Sequence, residues 1–333
     1  MDRRICFPGV ICLLALLGGL SEGCVSSPIK RPDATSELPQ EFPAELKDKF
    51  EIKEINQVDK KPIQVGKRQA RKRRTLAAAA APFQYPVRRG EKTPIWVYER
   101  LVFGIHYLGI SAGDFTLEVL PFKKIDGRKV YHIRGNAVTS ALSSLIYRVN
   151  DSVESFFDFD GLFSHRFHVV LDETKQTRDS LELNDSEKKQ TYYWSRWNHK
   201  VSGYKETKEL SPIEPFSQDS LSALYYARTV PLTEVGTTFT FPVISEGKSW
   251  DAVCTFVRRE VLSTPMGKVS TVVIRPEMKY QGILKKAGDS FLWLTDDDRR
   301  LPVRLEAKVR IGTVSARLKE VTLGHPPGNT AVE

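Results

Sequence analysis

The sequence predicts a mainly β protein, either a large curved antiparallel sheet or a half-open β-barrel, with two short helices. Apolar and polar residues alternate with a period of two over most of residues 93–323, which is typical of strands that bury one face. Turn pairs such as Asp126-Gly127 and Glu246-Gly247 separate these stretches. A sheet of more than a dozen strands must curl or close to protect its edges.

The clearest predicted strand covers residues 301–311. Its odd positions are apolar and its even positions from 304 to 310 are charged. The odd face therefore meets either a packed core or a bound ligand, and we expect Leu305 and Val303 to belong to the core. Further strands are predicted near 97–107, 115–119, 129–138, 151–159, 162–171, 190–195, 199–206, 237–243, 250–261, 268–277, 280–284, 289–294 and 313–322.

Two stretches have the apolar spacing of short amphipathic helices. The first, about 139–148, places four apolar side chains on one stripe, which predicts that this stripe faces the core: Leu142, Leu145, Ile146 and Val149. The second, about 219–229, begins at Asp219 as N-cap and ends before Pro231.

Net charge is concentrated in one segment. Of the formal +9 in 333 residues, residues 24–92 contribute +7 (16 basic minus 9 acidic) and residues 93–333 only +2 (32 minus 30). The predicted β-domain is thus nearly neutral, which argues against a nucleic-acid-binding protein. Four cysteines in this length also exclude a disulfide-built miniprotein.

The N-terminus has the layout of a secretory signal. Arg3 and Arg4 precede an uncharged run from 5 to 20, which is too short for a spanning helix. We predict a signal peptide over 1–23. Cleavage after Gly23 would leave Cys24 first, as in the lipobox of bacterial lipoproteins, where the cysteine is acylated. Ordinary signal-peptidase cleavage is the alternative.

Residues 24–92 are predicted to form a disordered tether, because they are rich in Pro, Lys, Glu and Ala and show no sustained apolar period. A dense basic run within it suits contact with anionic headgroups or cell-wall carboxylates. A solvated linker or processing site is the alternative. The basic side chains are Lys67, Arg68, Arg71, Lys72, Arg73 and Arg74. The predicted β-domain spans 93–323, and a disordered tail covers 324–333.

Three stretches carry a resemblance to a known family. They are Gly109-Ile-Ser-Ala-Gly-Asp-Phe-Thr-Leu117, Asp219-Ser-Leu-Ser-Ala-Leu-Tyr-Tyr226 and Phe291-Leu-Trp-Leu-Thr-Asp-Asp-Asp-Arg-Arg-Leu-Pro-Val303. In order and spacing they resemble the bacterial domain-of-unknown-function family 3108. The resemblance implies an exported envelope protein with a large curved antiparallel sheet, and it implies no catalytic residues.

The residues themselves predict no catalytic site, metal site or cofactor. Asp296, Asp297 and Asp298 lack the ligand spacing of a calcium loop, so we interpret them as a turn. His165 and His168 are three apart on a strand, so they would not share a metal. Cys254 lies on an apolar strand face, where a cysteine behaves as a small hydrophobe.

Aromatic residues are more abundant in two hairpins than one packed layer requires. We therefore take Phe157, Trp194 and Trp197 as candidate walls of an apolar ligand site, with ordinary core packing as the alternative.

We thus expect a non-enzymatic periplasmic lipoprotein, with the outer membrane favoured, anchored by lipid and binding a lipid or lipoprotein acyl chain. The alternatives are a module that docks another envelope protein without a ligand and, more weakly, a hydrolase of envelope esters.

Overall fold

The computed structural model describes residues 38, 42–55, 83–280, 283–285, 289–309 and 311–327. The helices are α1 (Ala44–Phe50), α2 (Ala141–Ser144) and α3 (Ser220–Thr229). The strands are β1 (Lys53–Glu54), β2 (Arg100–Tyr107), β3 (Ile110–Ile125), β4 (Arg128–Thr139), β5 (Asn150–Asp158), β6 (Ser164–Asp172), β7 (Gln176–Asp185), β8 (Gln190–His199), β9 (Gly203–Pro212), β10 (Thr238–Ser245), β11 (Lys248–Thr264), β12 (Gly267–Tyr280), β13 (Ile283–Lys285), β14 (Ser290–Thr295), β15 (Pro302–Lys308) and β16 (Thr313–Thr322).

These strands form one antiparallel sheet of 16 strands, which confirms the predicted fold class. The main path runs β10-β11-β12-β14-β15-β16-β2-β3-β4-β5-β6-β7-β8-β9, while β1 pairs with β3 and β13 pairs with β12. No helix in the described ranges is long and apolar enough to cross a membrane.

The sheet curls until its two edges approach each other. Gly247, in the β10–β11 turn, donates its backbone N–H to the Glu182 carboxyl of β7 at 2.7 Å. The free edge of β10 is covered by Gln218, which donates to Pro242 O at 2.9 Å and accepts from Ile244 N at 2.8 Å. This covering protects the β10 edge from pairing with other chains, whereas β9 at the other edge of the sheet is largely exposed.

We call this curled sheet the barrel. Its inner face is covered by a large apolar core. Leu305 and Val303 are buried in it, as the alternation on their strand predicts. Helix α3 closes the interior: Leu221, Leu224 and Tyr225 pack against residues of β4, β5 and β10. The helix begins at the predicted N-cap, where Asp219 accepts from Leu221 N at 2.8 Å and Ser222 N at 2.7 Å.

Besides the two-residue β1, the predicted strand list lacks β7. Its ten residues, Gln176–Asp185, include only two apolar side chains, Leu181 and Leu183, so the expected period is weak. The polar residues are nevertheless buried, Asp179 on the outer face and Glu182 on the inner face. Both faces of this strand are covered, and hydrogen bonds satisfy its buried polar side chains.

The predicted disordered tether is wrong for residues 42–55. Helix α1 lies against the outer face of β4–β8, where Phe42 and Phe50 are buried. Trp194 contacts Phe42 edge-on, with ring centroids 5.9 Å apart, and Lys49 Nζ lies 2.9 Å from the Asp185 carboxylate. Two buried aromatic anchors thus repay the ordering cost that the surrounding polar composition alone would not.

Residues 83–92 also contact the barrel, although they were predicted to belong to the tether. The Tyr85 ring stacks on Phe163, with ring centroids 5.9 Å apart, and Arg128 Cζ lies 4.1 Å from the centroid of the Tyr85 ring. Phe83 packs against Phe216 at 5.7 Å. The connection from 56 to 82 lies outside the described residues, so the barrel is contacted on both sides of it.

A buried ion cluster joins three parts of the chain. Glu99 accepts from Arg228 of α3 at 2.6 and 2.8 Å, and from Arg299 of the β14–β15 turn at 2.6 Å. The Glu99 and Arg228 side chains are fully buried. Arg228 also donates to the Pro94 carbonyl at 2.8 Å. The entry to the barrel, its internal helix and its late hairpin are therefore fixed to one carboxylate.

We predict that Phe42→Ala and Phe50→Ala each lower the free energy of unfolding by about 3–5 kcal/mol, because each leaves a cavity on the outer face. Urea titration of the purified chain measures the effect. Asp48→Ala, on the exposed side of the same helix, serves as control and should change stability by less than about 0.5 kcal/mol. Equal midpoints for all three variants would show that α1 does not hold the fold.

We also predict that Glu99→Gln costs about 3–5 kcal/mol, since it leaves two buried guanidinium groups without their counter-charge. The matched control is Glu320→Gln, whose exposed pair with Arg100 at 3.5 Å contributes about 0–1 kcal/mol. Thermal and urea unfolding report the difference. A Glu99 variant as stable as the Glu320 variant would contradict the structural importance of the cluster.

Candidate functional site

One end of the barrel exposes apolar side chains on its turns. The β2–β3 hairpin closes through Leu108 and Gly109, whose φ angles are +51° and +82°, with Tyr107 opposite Ile110. Such two-residue turns favour Asn or Gly at both positions. Here the first position is a leucine, and Leu108 and Ile110 are both exposed.

Helix α2 lies beside this turn and presents apolar residues to solvent. Ser143 Oγ donates to Ser111 O at 3.3 Å, and Ser140 N donates to Ala112 O at 3.0 Å. The predicted core-facing stripe is wrong for three of its four members, because these hydrogen bonds hold the single helical turn outside the barrel. Leu142, Leu145 and Ile146 are 77%, 82% and 78% exposed, and only Val149 is buried.

A third turn, between β15 and β16, completes the surface. Tyr107 Oη donates to Ile311 O at 2.9 Å, and Leu108 N donates to Thr313 O at 3.3 Å. A Cβ at Gly312 would lie 2.1 Å from Leu108 Cδ2, so glycine is needed for Leu108 to close over this turn. The two turns therefore form one continuous surface.

We call this surface the apolar rim. Its members are large aliphatic residues that are between 50% and 82% exposed, and they are Leu108, Ile110, Val138, Leu142, Leu145, Ile146 and Ile311. Exposed apolar residues scattered singly are normal, whereas a contiguous group indicates an interaction site. Sequence reasoning missed the turn members, although the pairs Leu108-Gly109 and Ile311-Gly312 place an aliphatic residue in a glycine turn, which is a readable signal.

Just inside the rim, two buried carboxyl groups adjoin each other. Asp151 stands opposite Ala137 on the inner face of the sheet, and Glu173 accepts from Tyr147 Oη at 2.5 Å and Gln176 Nε2 at 2.7 Å. Burial, together with the neighbouring Glu173, raises the pKa of Asp151 to about 8. Burial also raises the pKa of Glu173. The pair therefore holds a proton at neutral pH.

The inner wall of β7 and β8 continues this polar region. Arg178 donates to the Glu246 carboxylate at 2.7 Å and also to the Tyr193 hydroxyl. Burial raises the pKa of Glu182 to about 8, despite the hydrogen bond from Gly247. The barrel interior is thus apolar along β2–β5 and β11–β16 and polar along β7–β8.

The three candidate ligand residues from the sequence do not share one surface. Phe157 is fully buried in the inner core, whereas Trp194 lies on the outer face beneath Phe42. Trp197 is half-buried and donates its Nε1 to Gln176 Oε1 at 2.8 Å. Of the three, Trp197 alone stands next to the carboxyl pair at the rim end.

Cys24 and the basic run lie outside the described residues, so lipidation and anionic-surface contact stay predictions. This applies to Lys67, Arg68, Arg71, Lys72, Arg73 and Arg74.

The histidines pair with separate carboxylates. His165 Nε2 lies 2.9 Å from Asp158, and His168 Nε2 lies 2.8 Å from Asp179. Burial alone would raise the pKa of Asp158, but hydrogen bonds from Arg128 and His165 lower it well below its ordinary value. Within the described ranges, no group of three or more His, Cys, Asp or Glu side chains is arranged to hold a metal ion.

Asp297 and Cys254 have structural environments. Asp297 Oδ1 accepts from Thr295 Oγ1 at 2.7 Å and from Arg299 N and Arg300 N at 3.0 Å, so it caps the predicted turn. Burial raises the pKa of Cys254 to about 12, which keeps it a thiol rather than a thiolate nucleophile.

The sequence matches the family described as "Protein of unknown function (DUF3108)" over residues 102–319. The chain belongs to this family. The three stretches that carried the resemblance make contacts that hold the fold together. Asp219 accepts from Ser155 Oγ at 2.6 Å and Ser164 Oγ at 2.5 Å. A Cβ at Gly113 would lie 2.2 Å from Val138 O, and the late stretch supplies Arg299 to the ion cluster. In this DUF3108 protein the shared motifs thus maintain the fold.

No curated protein matches the sequence. Among solved structures, a β-barrel-like DUF1849 protein from Brucella abortus superposes with a TM-score of 0.44 at 11% identity, covering 68% of this chain and 98% of that one. A protein from Bacteroides fragilis, provisionally named as exported and with a YmcC-like fold, gives 0.32 at 9% identity over 69% and 98%. A provisionally named lipoprotein from Parabacteroides distasonis gives 0.31 at 8% identity over 72% and 100%.

We predict that Asp151→Asn changes the pH dependence of stability. The folded wild-type chain binds more protons than the unfolded chain between pH 4 and pH 8, so this group's contribution falls as pH rises through that range. The slope is up to about 1.4 kcal/mol per pH unit. Asn mimics the protonated acid and cannot ionise. Relative to wild type, the variant should therefore become more stable from pH 5 to pH 8.5, as followed by urea unfolding.

The control for this test is Asp289→Asn, at an exposed carboxylate of the same end whose ion pair with Lys308 spans 3.5 Å. Its stability difference from wild type should stay nearly constant over the same pH range. A constant difference for Asp151→Asn as well would mean that the Asp151–Glu173 pair is ionised in the folded state.

Proposed function

We propose that this DUF3108 chain is a non-enzymatic exported protein of the cell envelope, whose β-domain binds a hydrophobic or amphipathic envelope component, namely the acyl chains of a lipid or lipoprotein. The observation that carries the proposal is the apolar rim. The signal layout that ends at Cys24 supports export, and acylation there would add a membrane anchor.

Exposure of the rim has a free-energy cost that the fold does not require. Leu108 occupies a left-handed turn position, where a leucine is strained and polar residues or glycine are preferred. Helix α2 is held by backbone and serine contacts, so its apolar side chains contribute nothing to the core. Each Leu or Ile would contribute about 1.5–3 kcal/mol if it were buried by a ligand.

The filled interior supports a binding surface at the rim rather than in a deep cavity. Helix α3 and the inner core occupy the space next to Phe157. An acyl chain would therefore lie across the turns, with Trp197 and Tyr147 of the polar region nearby. The candidate site accordingly moves from the inner wall, which the sequence suggested, to the end of the barrel.

The same filled interior favours one second candidate, a module that docks another envelope protein without a ligand. An apolar surface with a packed core behind it also suits protein contacts. The two candidates differ in whether the isolated protein binds a monomeric amphiphile.

We predict that the triple variant Leu142→Ser, Leu145→Ser, Ile146→Ser weakens binding of a fluorescent lysophospholipid, used below its micelle concentration, by at least about tenfold. Three exposed side chains that become buried by an acyl chain contribute more than the 1.4 kcal/mol that a tenfold change requires. Fluorescence titration measures the affinity, and native mass spectrometry of the protein detects co-purified lipid.

The matched control removes three aliphatic residues of similar exposure, between 56% and 65%, that lie away from the rim: Leu210→Ser, Val235→Ser and Val261→Ser. Both triple variants should melt within a few degrees of wild type, because surface substitutions cost little. Equal loss in the two variants, or no binding by the wild type, would overturn the acyl-binding proposal. In the second case, docking to a protein becomes the better explanation.

A further inference from the structure

We infer that the apolar rim inserts into the headgroup and acyl boundary of an anionic membrane leaflet, with the barrel standing end-on to the membrane. This inference deepens the proposed function and rests on the same surface. It names the occupant as an intact lipid leaflet rather than a single amphiphile held in solution.

The rim consists of turns that lie side by side at one end of the barrel. Its members come from the β2–β3 turn, from α2 with the end of β4, and from the β15–β16 turn, all of which lie at the same ends of neighbouring antiparallel strands. A groove for one chain would need walls on two sides. Turns at a common strand end instead present their tips side by side, which suits a flat apolar layer.

The tips of these turns carry large aliphatic residues. Leu108, Leu145 and Ile311 are 58%, 82% and 67% exposed. Aliphatic side chains of this size reach the acyl boundary when a surface settles about 5–10 Å into a leaflet.

Basic residues lie beside the rim. The next two turns at this end carry Lys175 and Lys200, and Lys200 N donates to Lys175 O at 2.9 Å, which places these basic residues side by side. Among the described residues, no carboxylate forms an ion pair with either lysine. The nearby acidic residue Asp172 is already paired with Arg148 at 2.5 Å. Cationic side chains beside an apolar surface fit an anionic leaflet, to which each contributes about fivefold in affinity.

The polar interior supports the same orientation. Tyr147 and Trp197 lie just inside the rim, each with its polar atom in a hydrogen bond, to Glu173 and to Gln176 respectively. Tyr and Trp with one wet and one apolar side are typical of membrane interfaces. The described part of the opposite end of the barrel instead carries charged turns, such as Asp296 to Arg300.

The test places an environment-sensitive label at the rim of the full chain. Leu145→Cys, labelled with a nitrobenzoxadiazole dye, is mixed with vesicles of phosphatidylethanolamine and phosphatidylglycerol. We expect a blue-shifted emission that nitroxide lipids quench. The matched control is Val261→Cys, near the opposite end of the barrel and 65% exposed, whose dye should stay in water. The chain without an introduced cysteine gives the background from native thiols.

This design separates insertion of the rim from anchoring at Cys24. If an acyl group at Cys24 alone held the protein on the vesicle, both dyes would report water, and the inference would fall. Equal shifts at both positions would indicate nonspecific adsorption and would overturn it too. A shift at position 145 with monomeric lysophospholipid but not with vesicles would reject the leaflet while leaving the proposed acyl binding intact.

The same assay tests the role of the two lysines. Lys175→Gln together with Lys200→Gln should weaken the partition of the position-145 dye into phosphatidylglycerol vesicles by about 25-fold, and pure phosphatidylcholine vesicles should bind the unmodified chain comparably weakly. Lys189→Gln with Lys268→Gln, two exposed lysines beside the β7–β8 and β11–β12 turns at the opposite end of the barrel, should have little effect. Equal partition into both vesicle types would contradict a role for anionic headgroups. A shift caused only by an added envelope protein would assign the rim to protein docking instead.

Discussion

The Glu99 carboxylate is the point on which the barrel depends. It is fully buried and receives two guanidinium groups, one from the internal helix and one from the late hairpin. These contacts bring together residues 99, 228 and 299, which lie far apart in the sequence. A buried charge that lost its partners would be very costly, so the helix cannot leave the interior without also releasing the β14–β15 turn. The internal helix and the β14–β15 turn are therefore held in place by the same carboxylate.

Covering of both faces distinguishes the β4–β8 region from the rest of the sheet. Helix α3 and the inner core cover one side, while α1 covers part of the other through Phe42 and Phe50. A strand covered on both faces has no solvent-exposed side on which to place its polar residues. Its carboxylates are accordingly neutralised by neighbours, as Asp158 is by Arg128 and His165, or retain a proton, as Glu182 does. Polar sequence in this region therefore does not indicate exposure.

The sequence alone predicted the strand-rich class, the N-cap of α3 and the buried face of β15 correctly, because these rest on local periodicity and capping. It failed where a distant contact decides the outcome. Strand β7 lacks apolar alternation, and its burial depends on partners from other strands. Residues 42–55 have tether-like composition, yet two phenylalanines find a complementary face. The apolar stripe of α2 has the spacing of a helix that faces the core. Hydrogen bonds from α2 to β3 hold this stripe toward solvent instead, and they cannot be read from the sequence. Each turn of the rim has a local sequence signal, but only the sheet topology brings Leu108 and Ile311 together.

The docked helix α1 changes what the basic run can reach. Residues 56–82 join two places where the chain contacts the barrel, namely β1 and the Phe83–Tyr85 segment. The basic run therefore lies in a segment that is attached to the barrel at both ends. A single proteolytic cut within it would leave both fragments bound to the barrel. After cleavage there, the N-terminal segment would therefore stay docked on the barrel through Phe42 and Phe50.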